Sequence, residues 1–221
     1  MKQEVRVIRA VCGPVQTNSY FLCLPGSGEA VAIDPADSRA ALDTLEKEGL
    51  TCKKILLTHG HFDHIGGVDA LRARYDCPAA VCERDGALLS DPKENASFLL
   101  GVPVVVSAAD ELLKDCDTFE AAGIRFEVIE TPGHTPGGCC YFLPDAVLEG
   151  TDCPLLFSGD TLFCGGVGRT DLPGGSWAQL RQSVEKLYDL PESTVVFPGH
   201  GDPTTLGDEA QSNPYISRRP Q

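Results

Sequence analysis

The sequence predicts one α/β domain in which strands and amphipathic helices alternate. Apolar, strand-like runs recur in both halves of the 221-residue chain, and segments with helical spacing of apolar residues lie between them. No Pro/Ser-rich linker divides the two halves. We therefore expect a single domain over residues 1–221, long enough to bury most of its apolar surface.

The first half contains apolar runs bounded by turn residues. Residues 25–28 form the turn between two of these runs, and Gly49 is typical of the residue that ends a helix. We predict strands over residues 5–9, 18–24, 30–33, 53–57 and 78–82, and helices over residues 38–48, 66–75 and 83–89. The irregular stretch 95–103 contains Phe98, Leu99 and Leu100, which we expect in the core, with a flap over the site as the alternative.

The second half repeats this plan. We predict strands over residues 118–119, 124–129, 139–143, 154–157 and 194–197, a helix over residues 177–188, and a short helix with a tail over residues 207–215. In the longer helix Trp177 shares a face with Leu180, Val184 and Leu187, so we expect its ring in the core.

The charge balance excludes one class of partner. The chain has 18 Lys and Arg against 32 Asp and Glu, and its net charge of −14 repels a phosphate backbone. We therefore expect no nucleic acid partner. The N-terminus has no apolar signal-peptide core, and no apolar run is long enough to span a bilayer. We therefore expect a cytoplasmic protein without membrane contact. In that compartment its ten cysteines would be reduced thiols. The oligomeric state is left open.

Three of the five histidines lie within residues 58–67, directly after an apolar, strand-like run. His59 and His61 point to one side of an extended segment, so they can bind one ion together. Asp63 and His64 follow at a change of direction and can face a second ion. Imidazole and carboxylate ligands without cysteine suit zinc, iron or manganese, and a pair of ions suits hydrolysis.

Four separate motifs resemble the metallo-β-lactamase superfamily, most closely its glyoxalase II-like branch. They are THGHFDHIGG at residues 58–67, TPGHTPGG at 131–138, SGDTLF at 158–163 and FPGHG at 197–201. The resemblance implies an αββα sandwich, in which two mixed sheets lie face to face with helices outside. It also implies a short, single-domain hydroxyacylglutathione hydrolase-like protein without the C-terminal helical domain that completes the glutathione site in longer enzymes.

The same resemblance assigns seven ligands to two divalent ions, with zinc expected and iron or manganese as alternatives. The matching residues are His59, His61 and His134 for the first ion, Asp63, His64 and His200 for the second, and Asp160 for the bridge between them. Asp63 and Asp160 are also the residues to which we assign catalytic roles. Asp34 resembles an aspartate that supports the metal loop, and it is not counted as a ligand.

Two such ions would supply the chemistry of hydrolysis. A water shared by two cations has its pKa lowered from about 15.7 towards about 7, which provides a metal-bound hydroxide without a protein base. One ion also polarises the carbonyl group and stabilises the oxyanion. A thiolate, with a thiol pKa of about 8.5, leaves without a strong general acid. We therefore expect a metal-dependent hydrolase of small acyl thioesters.

The loop over residues 164–171 is the expected substrate contact. Full-length glyoxalase II enzymes hold a Lys and a Tyr there for glutathione. Arg169 matches the cationic position, but Asp171 stands where tyrosine is expected and either repels a substrate carboxylate or pairs with Arg169. The alternatives are a persulfide dioxygenase, which shares a Gly-Arg-Thr-Asp loop and uses one iron, a lactonase or β-lactamase of the same fold, and a metal-binding protein without catalysis. The missing secretion signal counts against β-lactamase.

Overall fold

Two six-stranded sheets form the centre of the computed structural model, which describes residues 2–218. The strands are β1 (Gln3–Glu4), β2 (Arg6–Cys12), β3 (Thr17–Cys23), β4 (Glu29–Ile33), β5 (Thr51–Leu56), β6 (Ala79–Cys82), β7 (Glu111–Leu113), β8 (Thr118–Ala121), β9 (Ile124–Glu130), β10 (Cys139–Leu143), β11 (Ala146–Leu148), β12 (Thr151–Asp152), β13 (Leu155–Gly159), β14 (Leu162–Phe163), β15 (Gly166–Val167), β16 (Val195–Pro198) and β17 (Thr204–Thr205). The helices are α1 (Ser38–Glu48), α2 (Phe62–Ile65), α3 (Val68–Tyr75), α4 (Trp177–Leu187) and α5 (Leu206–Ser212), with short 3-10 turns at Glu83–Asp85, Leu88–Ser90 and Ser97–Leu100. Within residues 2–218 no helix has the length and apolar character to cross a membrane.

Both large sheets are mixed. The first has the strand order β2-β3-β4-β5-β6-β7, antiparallel from β2 to β4 and parallel from β4 to β7. The second has the order β17-β16-β13-β10-β9-β8, and only its β13–β16 pair is parallel. The ends of several strands therefore meet at one edge of the sandwich.

Three apolar cores define the layers. Leu22 and Ile33 of the first sheet share one core with Phe126 and Phe157 of the second. A second core joins the first sheet to α1 and α3, and a third joins the second sheet to α4 and α5. Phe21 belongs to the second core because neighbouring side chains on a strand face opposite sides. The predicted αββα sandwich of the α/β class is confirmed.

The helices of the first half begin and end for identifiable reasons. The Asp37 side chain caps α1 by accepting a hydrogen bond from Ala40 N–H at 2.8 Å, and Gly49 ends the helix with a φ of 67°. The helix predicted over residues 66–75 is present as α3, which begins two residues later at Val68, and the separate short helix α2 precedes it. Gly67 N–H donates to the Pro35 carbonyl at 2.6 Å and so leaves the helical hydrogen-bond ladder.

Two predictions of core packing are wrong. Trp177 is 45% exposed because it is the first residue of α4 and lies beyond the core that Leu180 enters one turn later. Phe98 and Leu99 are 50% and 58% exposed, so they belong to the surface. The side chain of Leu100 lies outside the described part of the chain.

Candidate metal centre

All seven predicted ligands lie close together beyond the ends of β5, β9, β13 and β16. They form two groups and one carboxylate, Asp160, that contacts both. Within each group the ligand atoms lie within 4.8 Å of one another, and the groups are His59, His61 and His134, and Asp63, His64 and His200. The structure therefore brings together the residues that the motifs predicted.

The first group consists of three buried imidazoles. Nδ1 of His61 lies 2.9 Å from Nε2 of His134, and the rings of His59 and His61 are nearly perpendicular, at 85°. Burial, with the neighbouring His134, lowers the pKa of His61 to about 3, against the opposing effect of the nearby carboxylates. Burial also lowers the pKa of His59 well below its ordinary value. Neutral nitrogens present the lone pairs that a cation requires.

The second group combines carboxylates with charged imidazoles. Nε2 of His200 lies 3.3 Å from Oδ2 of Asp63, and Nε2 of His64 lies 3.5 Å from the same oxygen. Burial alone would lower the pKa of His200, but hydrogen bonds to Asp160 and Asp63 outweigh it and raise the pKa to about 10. The pKa of His64 is raised well above its ordinary value in the same way, by Asp63, Asp34 and Asp160. A cation bound here would replace these protons.

Asp160 connects the two groups. Its Oδ2 lies 3.5 Å from Nε2 of His134 and 3.4 Å from Nε2 of His200, while Oδ1 lies 3.4 Å from Nε2 of His64. Burial would raise the pKa of this carboxyl, but the charge of His64 and the close contacts of His200 and His64 with its oxygens hold it well below its ordinary value. Asp160 is therefore an ionised carboxylate in the position expected of a bridge.

Asp34 orients two of the histidines. Its Oδ2 accepts a hydrogen bond from Thr58 Oγ1 at 2.6 Å, so the Thr58 oxygen accepts in turn from Nδ1 of His59 at 3.0 Å. Oδ2 also lies 2.9 Å from Nδ1 of His64, and Oδ1 accepts from Thr58 N–H at 2.7 Å. These bonds occupy the Asp34 carboxylate and leave Nε2 of both rings for an ion. Asp34 thus supports the loop, as the resemblance implied.

The loop that carries His200 is held by β3. Asn18 N–H donates to the carbonyl of Gly199 at 2.7 Å, and its side chain donates to the carbonyl of Pro198 at 2.9 Å. The Tyr20 hydroxyl donates to the same Pro198 carbonyl at 2.7 Å. The second ligand group is therefore completed only through a contact between the two sheets.

Asp85 is a structural residue that the sequence reasoning missed. Its fully buried carboxylate accepts hydrogen bonds from Gly60 N–H at 2.9 Å and Gly137 N–H at 2.6 Å. It therefore ties the loop of His61 to the loop of His134. The only signal for this role is its position just after β6, at the same sheet edge as the ligands.

Buried polar atoms test whether these residues fit a metal ion. Those without a hydrogen-bond partner in the described chain include Nε2 of His59, His61 and His64, and Oδ1 of Asp160. A buried polar atom left unpaired costs about 1–3 kcal/mol, and coordination of a cation would satisfy such atoms. The donor set of imidazole and carboxylate, without cysteine, fits zinc, iron or manganese.

A cavity of about 550 Å³ opens over these groups. His61, Asp63, His134, Asp160 and His200 reach its floor, and the remaining lining residues are Val15, Phe62, Ala96, Leu99, Phe163, Val167, Arg169 and Leu172. Arg169 also binds Asp171 at two points, Nε to Oδ1 at 2.7 Å and Nη2 to Oδ2 at 2.8 Å. Of the two predicted substrate contacts, Arg169 thus lines the cavity and Asp171 is its ion-pair partner.

The sandwich and its two His/Asp groups define a metal-binding protein of the hydrolase class. The family model of the metallo-β-lactamase superfamily matches residues 12–200, and the chain belongs to this superfamily.

Two of the relatives are hydrolases by name. A probable metallo-hydrolase, YqgX of Bacillus subtilis, is 39% identical over 212 residues, covering 95% of this chain and 96% of its own. A hydroxyacylglutathione hydrolase of Chromohalobacter salexigens is 39% identical over 181 residues, which cover 82% of this chain and 60% of that longer protein.

Solved structures show the same fold. The BLEG-1 B3 metallo-β-lactamase superposes with a TM-score of 0.87 at 39% identity, covering 96% of this chain and 99% of its own. TTHA1623 in a di-iron-bound form has a TM-score of 0.79 at 36% identity, covering 95% and 100%. ETHE1 from Myxococcus xanthus has a TM-score of 0.78 at 26% identity, covering 97% and 86%.

Proposed function

We propose that this protein is a dinuclear metallohydrolase that cleaves small acyl thioesters. The contacts of Asp160 carry the proposal, because this one carboxylate lies within 3.5 Å of His134 in the first group and of His64 and His200 in the second. A carboxylate that contacts both groups can hold two neighbouring ions together, and two-ion sites suit hydrolysis. Zinc is the expected metal, and the di-iron form of TTHA1623 makes iron the first alternative.

The side chains around the proposed ions have different roles. Bound ions would supply a water of lowered pKa and a Lewis acid for the carbonyl oxygen. Thr17 Oγ1 donates to Oδ2 of Asp63 at 3.1 Å and so orients a carboxylate that lines the cavity. Burial would raise the pKa of Asp63, but His64 and His200 hold it below its ordinary value, so Asp63 is ionised and able to accept a proton. Asp160 would supply negative charge to both ions.

The thiol part of the substrate need not be glutathione. A hydroxyacylglutathione hydrolase is among the relatives, which supports thioester cleavage as the reaction. The Arg169 guanidinium, however, is already paired with Asp171 at two points and is not free for a substrate carboxylate. The ten cysteines are all unpaired, in keeping with work in the reducing cytoplasm.

Of two alternative reactions, one has a specific observation in its favour and the other has one against it. The similarity to BLEG-1 favours β-lactam hydrolysis, which is the same type of attack on a different carbonyl. A mononuclear iron dioxygenase needs only one metal group, so the complete second group of Asp63, His64 and His200 argues against it.

Metal analysis and a substrate panel test the proposal together. We expect about two ions per chain in protein purified without added metal, and hydrolysis of simple thioesters. Asp160→Ala should lose both ions and nearly all activity, whereas Asp202→Ala, which removes an 85% exposed carboxylate, should retain both. One iron per chain with oxygen uptake on a persulfide, or an Asp160→Ala protein that keeps two ions, would overturn it.

A further inference from the structure

Apart from the predicted metal ligands and Arg169, the walls of the cavity are apolar. The side chains concerned are Val15, Phe62, Leu99, Phe163, Val167 and Leu172. Val15 and Leu99 are 46% and 58% exposed, so large apolar surface faces water at the cavity mouth. A concave site of this kind gains free energy when an apolar group covers it.

One wall is a braced segment, residues 95–104, which we call the apolar loop. Asn95 is fully buried, and its side chain donates to the Val104 carbonyl at 2.9 Å and accepts from Ser97 N–H at 3.0 Å. The Ser97 hydroxyl accepts from Val104 N–H at 3.0 Å and closes the loop. The Asn95 carbonyl also accepts from Phe62 N–H at 3.0 Å. Leu99 is therefore held at a fixed place beside the metal groups.

Another wall is formed by the β14–β15 hairpin, whose residues Phe163 and Val167 also line the cavity. Its turn is held by a buried carboxylate, because Glu209 accepts from Gly165 N–H at 3.0 Å and is only 2% exposed. The hairpin residue Phe163 packs its ring against that of His200, with centroids 5.9 Å apart at 87°. An apolar surface thus begins directly at a predicted ligand of the second group.

The charges of the cavity do not suit an anionic acyl group. Among the lining residues outside the ligand groups, Arg169 carries the only charge, and Asp171 neutralises it. A carboxylated acyl chain would meet no unpaired cation there, and a hydroxyacyl chain would leave its hydroxyl against apolar side chains.

Resting on the proposed thioester hydrolysis, we propose that the substrate carries an extended apolar acyl group that lies between Leu99 of the apolar loop and Phe163 of the hairpin. Leu99 is then a specificity-determining residue for acyl length. Each methylene that the walls cover should raise kcat/KM about fourfold until the cavity is filled.

The test uses thioesters of one simple thiol, N-acetylcysteamine, with acetyl, butyryl, hexanoyl, octanoyl, lactoyl and succinyl groups. In the metal-loaded protein kcat/KM should rise from acetyl to the longer acyl groups, with lactoyl and succinyl poorer than butyryl. Leu99→Ala should lower the ratio of octanoyl to acetyl kcat/KM by about tenfold. Val102→Ala removes a 66% exposed side chain outside the cavity lining and should leave that ratio unchanged.

Two results separate this inference from the function on which it rests. If all the thioesters are hydrolysed but kcat/KM does not rise with acyl length, or is highest for lactoyl, the apolar acyl site is wrong. Thioester hydrolysis as the reaction would still be supported. If no thioester is hydrolysed, the proposed function is wrong. The apolar acyl site is then tested by calorimetric binding of butanoate, hexanoate and octanoate. Affinity that rises with length and falls in Leu99→Ala supports the site, and affinity independent of length overturns it.

Discussion

Nδ1 of His64 lies 2.9 Å from Oδ2 of Asp34, and this contact determines which nitrogen of the ring faces the metal groups. An ionised carboxylate only accepts, so His64 donates through Nδ1 and turns Nε2 towards Asp63 and Asp160. Asp34 follows β4 directly and has a φ of 49°, a left-handed conformation that Asp and Asn adopt more readily than other non-glycine residues. One residue therefore provides both the turn and the orientation.

Substitution of Asp34 should weaken metal binding without removing a ligand. We expect Asp34→Asn, which keeps a side chain suited to the left-handed backbone, to lower metal affinity by about 10- to 100-fold. Competition with a chromophoric chelator measures the affinity. Asp43→Ala, on the exposed face of α1, is the control and should bind metal like the unaltered protein. An Asp34→Asn variant that binds metal as tightly as the unaltered protein would contradict the orienting role.

Loss of the Asp85 carboxylate should destabilise the metal-free protein. Asp85→Ala leaves Gly60 N–H and Gly137 N–H buried without their acceptor, so we expect the free energy of unfolding to fall by about 2–4 kcal/mol. Urea unfolding in excess chelator measures this without a contribution from bound ions. Asp91 also accepts from two backbone N–H groups, but in an exposed turn, so Asp91→Ala should cost less than about 1 kcal/mol. Similar losses in the two variants would argue against a special role for Asp85.

Two glycines of one loop should respond differently to a methyl group. A Cβ at residue 168 would lie 1.8 Å from the Asp160 carbonyl oxygen and 3.1 Å from Nδ1 of His134, whereas at residue 166 its nearest neighbour would be 3.6 Å away. We expect Gly168→Ala to lose metal and activity, because Asp160 and His134 must move. Gly166→Ala should keep its full metal content. Elemental analysis measures the metal content of both proteins. A normal metal content in Gly168→Ala would show that this loop accommodates a methyl group without displacing the ligands.

Asp115 should make a pH-dependent contribution to stability. Burial would raise the pKa of this carboxyl, but a hydrogen bond from Glu130 N–H and the contact with Lys186 hold it below its ordinary value of 3.8. A carboxyl whose pKa is lower in the folded state stabilises the protein above its unfolded pKa and loses that effect as the pH falls through the folded pKa. Asp115→Asn should therefore be less stable than the unaltered protein at pH 7.

Urea unfolding of both proteins from pH 7 down to pH 3 measures this difference. We expect the two unfolding free energies to converge as the pH falls below 3.8. A constant difference over the whole range would assign the loss to the shape of the side chain rather than to its charge.

The sequence identifies the side chains that the structure groups together, because part of this grouping is encoded locally. His59, His61, Asp63 and His64 lie within six consecutive residues after a strand, so no knowledge of distant contacts is needed to place them together. His134, Asp160 and His200 lie far apart in sequence, but each follows a strand that ends at the same sheet edge. Their proximity follows from the sheet order once the fold is recognised. The predicted helix over residues 38–48 is confirmed for a similar reason, since both of its caps are local.

The errors arise where long-range packing decides. Asp85 lies in a run of Glu, Arg and Asp typical of a surface, and its two partners are 25 and 52 residues away in sequence. Trp177 has the spacing of a core residue in its helix. Helical periodicity does not show, however, that the core ends before the first turn of that helix. Leu99 is apolar yet lines a cavity, and the sequence does not distinguish a cavity wall from an interior.

The contact between β3 and the loop of His200 also has a consequence for biosynthesis. A ribosome releases residues 17–20 well before residues 198–200, yet the two segments hold each other in the folded protein. A nascent chain stopped between residues 161 and 194 already possesses every predicted ligand except His200. The second ligand group therefore cannot form before residue 200 has left the ribosome.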